Sequence, residues 1–257
     1  MRGLFVTATD TGVGKTVLSA ALLAAMVAAG ERVCAHKPVV TGLDDRSEID
    51  RPGGWPPDHE LLASAAGMAP QDVAPLRYGP AVSPHLAAAL AGKQIDPLDL
   101  VTRARQAGEE ETSLIVEGIG GLLAPLAEDY TVCDLAVALG LPLLIAARPG
   151  LGTINHTLLT LQAARGAKLE VRAVVLTPWP EQPSVLEHSN RETIARLGKV
   201  DVAGLSPVQS VNQADLSRAG AELPWQRWLE GAHPPEATRA ASTTAAVTLA
   251  RSSVSIT

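Results

Sequence analysis

Along the first forty residues the hydrophobic pattern changes period twice. Residues 3–8 form a short, mostly apolar run, as a strand buried on both faces requires. From Lys15 onward Val17, Leu18, Ala21, Leu22, Ala25 and Met26 recur at helical spacing over 15–29, and Gly30 is a natural stop. Residues 32–40 read as a second strand. Strand, helix and strand in that order make a βαβ unit, which implies a parallel pair with a right-handed crossover.

The alternation continues beyond a polar loop over 41–57, rich in Gly, Pro and Asp. Helices are expected over 58–67, 84–92 and 97–107, with Ser83 as an N-cap ahead of Pro84. Buried strands are expected over 113–116, closed by Glu117, and over 141–147, 171–176 and 200–205. Helical periodicity recurs over 153–165, 184–197 and 214–229. Short apolar strands alternating with helices predict an α/β fold: one domain, over 1–233, with a parallel β-sheet flanked by helices on both faces. Residues 234–257 are rich in Ala, Ser and Thr without a periodic apolar face, and read as a flexible tail.

Composition narrows the picture. Of 257 residues 46% are apolar and 19% charged, an ordinary globular balance. The chain has one Phe, two Tyr and four Trp, so the core must be built from Ala, Val, Leu and Ile. The same scarcity leaves few rings to stack on a planar ligand. A net charge of -6 weighs against nucleic acid as a partner, although a loop can still gather positive potential for a small anion. Cys34 and Cys133 stand far apart with no C-x-x-C, so neither a disulfide framework nor a zinc site is expected. The start of the chain lacks the pattern of a signal peptide, and the apolar stretch 18–29 is too short to span a bilayer. The expectation is a soluble, cytoplasmic protein with no membrane partner.

The chemistry begins in the turn Thr9-Asp10-Thr11-Gly12-Val13-Gly14-Lys15-Thr16, between the first strand and its helix. Free N–H groups at a helix N-terminus point at an anion, and the helix dipole adds to the field. Glycines let the backbone wrap a phosphate, Lys15 can reach β- and γ-phosphates, and the Thr16 hydroxyl can ligate Mg2+. The match to G-x-x-x-x-G-K-[ST] is imperfect, because Thr9 stands at the first Gly position. Leu114-Ile115-Val116-Glu117-Gly118 adds an apolar strand ending in a carboxylate, where a metal-organising acid is expected beside such a loop. Taken alone, a strand-end Glu is as often a solvated rim residue.

Several blocks together resemble the dethiobiotin synthetase family of phosphate-loop NTPases. They are the segment from Phe5 to Thr16, Lys37-Pro38-Val39 with Thr41-Gly42, Ser83-Pro84-His85, Glu117-Gly118-Ile119-Gly120-Gly121 and Gly152-Thr153-Ile154-Asn155-His156. The resemblance covers roughly residues 3–230. It implies a ligase that uses ATP and Mg2+ to join CO2 to 7,8-diaminopelargonic acid, closing the ureido ring of dethiobiotin in biotin synthesis. It also implies a homodimer with each substrate site near the interface. Lys15 and Lys37 are then the catalytic cations, and Thr16, Asp58 and Glu117 the Mg2+ positions. Nucleotide contacts fall on Gly12, Val13, Gly14, Lys15, Thr16 and Val17, on Asp58, on Glu117 to Gly120, on Thr177-Pro178 and on Ser206-Pro207-Val208. Substrate contacts fall on Thr11, Thr41, Gly152, Thr153 and Asn155, the last three from the partner subunit. His85 and His156 are read as structural.

The chain departs from the family in places. Ala8 and Gly12 stand where many members carry Gly and Glu. Thr177-Pro178 replaces an Asn-Asp pair that reads adenine; Thr offers one hydroxyl and Pro no N–H, so weaker adenine selectivity is expected. Two rivals share the loop. A partition-type switch ATPase would carry Lys where this chain has Asp10, and a cobyrinate-type amide synthase usually adds a glutaminase domain for which 257 residues leave no space.

Overall fold

The computed structural model describes residues 1–45, 54–108 and 111–231; the expected tail lies outside them. β1 (Arg2–Ala8) runs into α1 (Lys15–Ala28), β2 (Val33–His36) and β3 (Val39–Val40). Then come α2 (Asp58–Ala66), α3 (Pro70–Val73), β4 (Leu76–Arg77), α4 (Pro84–Leu90), α5 (Pro97–Ala107) and β5 (Ser113–Glu117). They are followed by β6 (Pro125–Ala127), β7 (Tyr130–Thr131), α6 (Val132–Leu139), β8 (Leu143–Ala147) and α7 (Thr153–Gly166). β9 (Val171–Leu176), α8 (Val185–Gly198), β10 (Asp201–Gly204), α9 (Gln213–Ala221) and α10 (Trp225–Glu230) close the described chain.

Six strands form one parallel sheet in the order β10-β9-β8-β1-β5-β2. β1 is the point where the order reverses: the chain first builds β2 and β5 on one side, then β8 on the other. Ligands of open parallel sheets bind at the carboxyl ends of the strands at such a reversal. The ends of β1, β5 and β2 therefore place the turn after Ala8, Glu117 and Lys37 along one rim.

Strand alternation sorts the core into two layers. Leu4, Val6, Ile115 and Leu144 pack on one face against α1, α2 and α9, while Phe5, Leu114, Val116 and Leu143 pack on the other with α5 and α6. These side chains are overwhelmingly aliphatic, as the composition requires. α1 is covered by α2 and α9, so Leu18 through Met26 are all buried. A Cβ on Gly220 would lie 2.0 Å from the Ala21 carbonyl oxygen, so α9 can sit this close only without a side chain there.

Five expectations need correction. The first two strands are parallel but not a pair, because β5 lies between β1 and β2 and pairs with both. The run over 32–40 breaks into β2 and β3 at Lys37-Pro38: Pro38 has no N–H to donate, and the Lys37 N–H leaves the sheet for the Val73 carbonyl at 2.8 Å. The helix expected over 214–229 is two, α9 and α10, because Pro224 interrupts it. Ser83 occupies the N-cap of α4 but makes no side-chain capping bond. The sequence reading also missed α6, although Thr131 and Asp134 form a full capping box before an apolar run.

Candidate active site

The turn after β1 is held at both ends. Thr9 N–H donates to the Ala146 carbonyl at 3.0 Å, and Leu18 N–H to the Gly14 carbonyl at 3.0 Å. Gly12 and Gly14 have φ of 67° and 99°, the left-handed conformation that favours glycine. The fit is also tight at Gly14, where a Cβ would meet Thr177 at 3.0 Å. The Arg148 guanidinium donates to the Gly12 carbonyl at 3.0 Å, tying the turn to the end of β8.

Four side chains converge beside this turn. Lys37 Nζ lies 2.5 Å from Glu117 Oε1 and 2.7 Å from Asp58 Oδ2. The Thr16 hydroxyl donates to the same Glu117 oxygen at 2.9 Å. Glu117 is fully buried, whereas Asp58, in the first turn of α2, keeps about half of its side chain exposed. Burial opposes the charge on Lys37, but Asp58 and Glu117 outweigh it and raise the ammonium's pKa above the ordinary lysine range. Burial would likewise raise the Asp58 pKa, yet Lys37 and then Thr16 hold it below the usual carboxylate value. Lys37 and Asp58 thus stabilise each other's charge, with Glu117 and Thr16 hydrogen-bonded beside them.

Lys15 differs. It is buried, its Nζ reaches the Asp10 carbonyl at 3.4 Å, and burial pulls its pKa below the lysine range, with Glu117 opposing and Lys37 adding to the shift. Among the described residues Lys15 has no ion-pair partner, and a desolvated cation so placed is prepared for an arriving anion.

Lys15, Thr16, Lys37 and Asp58 border a cleft of about 480 Å3, lined also by Thr11, Gly12, Thr41, Trp55, Ile119 and Gly120, while Glu117 is fully buried and does not line it. A second cavity of about 690 Å3 adjoins it and shares Gly12, Gly14, Val17 and Trp55. Its walls include Val13, Thr177, Pro178, Ser206, Pro207 and Val208, so segments far apart in sequence meet in one place. Gly118 lines neither space; it is covered by Phe5 and Val132. Gly152 and Asn155 are exposed at the start of α7 and line neither cavity, and Thr153 is buried with its hydroxyl 3.4 Å from that of Thr157. His85 and His156 are exposed and outside both. Reading by motif missed Trp55 and Arg148. Trp55 lies in a loop without periodicity, and Arg148 follows a strand with no spacing to the phosphate loop.

A parallel α/β sheet whose first strand ends in a glycine-bearing turn, a buried Lys and a helix N-terminus is the architecture of a phosphate-loop nucleotide-binding protein. The matching family model is an AAA domain over residues 2–214. The MinC:MinD cell division protein complex of Aquifex aeolicus contains a chain of the same fold, with a TM-score of 0.50 and 15% identity over 91% of this chain and 98% of that one. Closer relatives narrow the class. "ATP-dependent dethiobiotin synthetase BioD" of Anaeromyxobacter sp. (strain Fw109-5) is 40% identical over 82% of this chain and 92% of its own. The proteins of the same name from Bacillus subtilis (strain 168) and Mycobacterium sp. (strain KMS) are 36% and 38% identical, over 80% and 90% of this chain and 87% and 99% of their own. The chain belongs to the ATP-dependent dethiobiotin synthetase family. Among the described residues no helix is long and apolar enough to cross a membrane.

Proposed function

We propose that the protein is an ATP-dependent dethiobiotin synthetase, a cyclo-ligase that forms C–N bonds in biotin synthesis. The observation that carries the reading is the buried Lys37 held by Asp58 and Glu117 beside the Lys15 turn. One amine of diaminopelargonate attacks CO2, forms an N–C bond and loses a proton, giving a carbamate. A carbamate oxygen takes the γ-phosphoryl group as the P–O bond to ADP breaks. The second amine attacks the carbonyl carbon, loses a proton and expels phosphate, closing the ring. The carbamate, the mixed anhydride and the phosphates on this path are anionic, and no protein nucleophile is needed. The protein's contribution is placed positive charge: Lys15 at the γ-phosphate, Lys37 at the carbamate and the phosphoryl group in transfer.

Mg2+ fits the donor set. The Thr16 hydroxyl, Asp58 and Glu117 present hard oxygens, and Glu117 Oε2 is buried without a hydrogen-bond partner. Among the described residues no three His, Cys, Asp or Glu side chains gather for a metal, so phosphate and water oxygens would complete the coordination. When bound, Mg2+ would offset charge on the phosphates. Thr11 and Thr41 line the same cleft and are assigned to the substrate. Gly152, Thr153 and Asn155 do not line it, and their assignment to the neighbouring subunit's site in a homodimer rests on the family resemblance. Sedimentation as a monomer at assay concentration would remove that part of the reading.

The deciding assay is ADP release with and without diaminopelargonate and bicarbonate, with dethiobiotin followed by mass spectrometry. Release that requires both, with product, is expected. Substrate-independent release stimulated by DNA would overturn the reading in favour of a switch ATPase.

A further inference from the structure

Trp55 lines both the charged cleft and the larger cavity beside it, where phosphate loop and strand-end walls meet. It is the one aromatic residue among those lining either space, and it is half-buried, packed on the apolar cluster under α1. Among the described residues, several groups in and beside the wall of the larger cavity are unavailable to the edge of a base. Pro149, Pro178, Pro180 and Pro207 in its wall carry no N–H. The Thr177 and Trp179 amides are committed to the Ala147 and Leu205 carbonyls at 2.9 and 2.7 Å. Ser206 already donates to Glu222 at 2.6 Å, and a Glu187 oxygen already accepts from the Ser184 amide at 2.6 Å. Among the described residues of that wall, the one aromatic ring is the indole of Trp55.

We propose that Trp55 is the stacking platform for the nucleotide base, and that it fixes the nucleotide without distinguishing one base from another. The proposal rests on the reading that this cleft takes a nucleoside triphosphate. Stacking tolerates any base because every base has a π-face. A cavity that stacks but does not read an edge should hold purine and pyrimidine nucleotides through the same residue.

The test is calorimetric binding of ATP, CTP and tripolyphosphate, each with Mg2+, to the full chain and to Trp55→Phe, Trp55→Leu and Trp55→Ala. Leu retains apolar packing without a ring, so it separates stacking from support of the fold. Trp55→Leu and Trp55→Ala are expected to weaken ATP and CTP alike by about tenfold or more, with Trp55→Phe much closer to the parent. Tripolyphosphate, which has no base, should bind all four proteins equally. Equal loss of tripolyphosphate would make Trp55 a support of the phosphate loop and overturn the proposal. So would unchanged ATP binding in Trp55→Leu, or weakening confined to one nucleotide. A parent protein that binds tripolyphosphate but no nucleotide also overturns it, whereas one that binds neither overturns the functional reading itself.

Discussion

The charged cleft and the cavity beside it share Gly12, Gly14, Val17 and Trp55, yet they are built on opposite terms. In the cleft, charges satisfy one another at hydrogen-bond distance: Lys37 bridges two carboxylates, and Thr16 shares one of them. In the cavity, four prolines, three valines and an indole line the wall with Arg148 and Glu187, and the Thr177 amide and Ser206 hydroxyl are already engaged. Desolvated charge is steeply distance-dependent, so residue types in the cleft cannot be exchanged without loss. Apolar contact and stacking depend on shape, and many residue choices supply them. The contrast assigns reaction chemistry to one compartment and undemanding grip on the base to the other.

The strongest way to break this contrast is Lys37→Ala. It is expected to lower turnover by about 10²–10³-fold, the usual cost of removing a placed charge-stabilising group, while ATP binding largely survives. ADP-release rates and calorimetric Kd values measured together decide it, and near-normal turnover would take Lys37 out of the chemistry. Next is Asp58→Asn, which should raise the Mg2+ concentration for half-maximal activity by about tenfold or more. An unchanged Mg2+ titration would detach Asp58 from the metal.

His36 separates loss of fold from loss of cleft charge. It is buried with both ring nitrogens unpartnered, and burial, aided by Arg103, lowers its pKa to about 4. Between that value and 6.5 the unfolded chain binds a proton that the folded one refuses, so stability rises with pH across this window and falls in acid. The expected loss between pH 7 and pH 5 is about 2 kcal/mol, read from urea unfolding and flattened in His36→Gln. A wild-type profile no steeper than that of His36→Gln would contradict it. The smallest effect belongs to the cavity: kcat/KM for ATP should exceed those for CTP and GTP by less than about tenfold, well below what a bidentate amide contact to adenine supplies. A much larger preference for ATP would mean that the base edge is read after all.

The same contrast explains what could be read from the chain. β1, α1, β5, β8 and β9 were legible because a buried parallel strand is an apolar run and α1 carries a helical period. Thr16, Lys37 and Glu117 could be singled out because they sit at strand ends or a helix start, Asp58 only through the family resemblance, and the fold brings all four together. Trp55 was not legible. Its neighbours Pro56 and Pro57 gave only a loop, and the contacts that give it meaning come from the turn after β1 and, across the cavity, from beyond β9 and β10. The scarcity of rings correctly described the whole chain but not this place, where one ring is enough. The breaks at Pro38 and Pro224 were visible as prolines, although apolar patterning on either side concealed them.

Thr16 and Glu117 are 101 residues apart in the chain, and Lys37 and Glu117 are 80 apart. On the ribosome, a nascent chain that has emerged as far as α5 holds the phosphate loop and Lys37, but not the strand that belongs between β1 and β2. Until β5 inserts there, the lysine lacks one of its two carboxylates and β1 lacks that neighbour. Such long-range parallel closure is slow. Recovery of ATP binding during synthesis or refolding should therefore report the insertion of β5, rather than the earlier appearance of the segment that carries the loop.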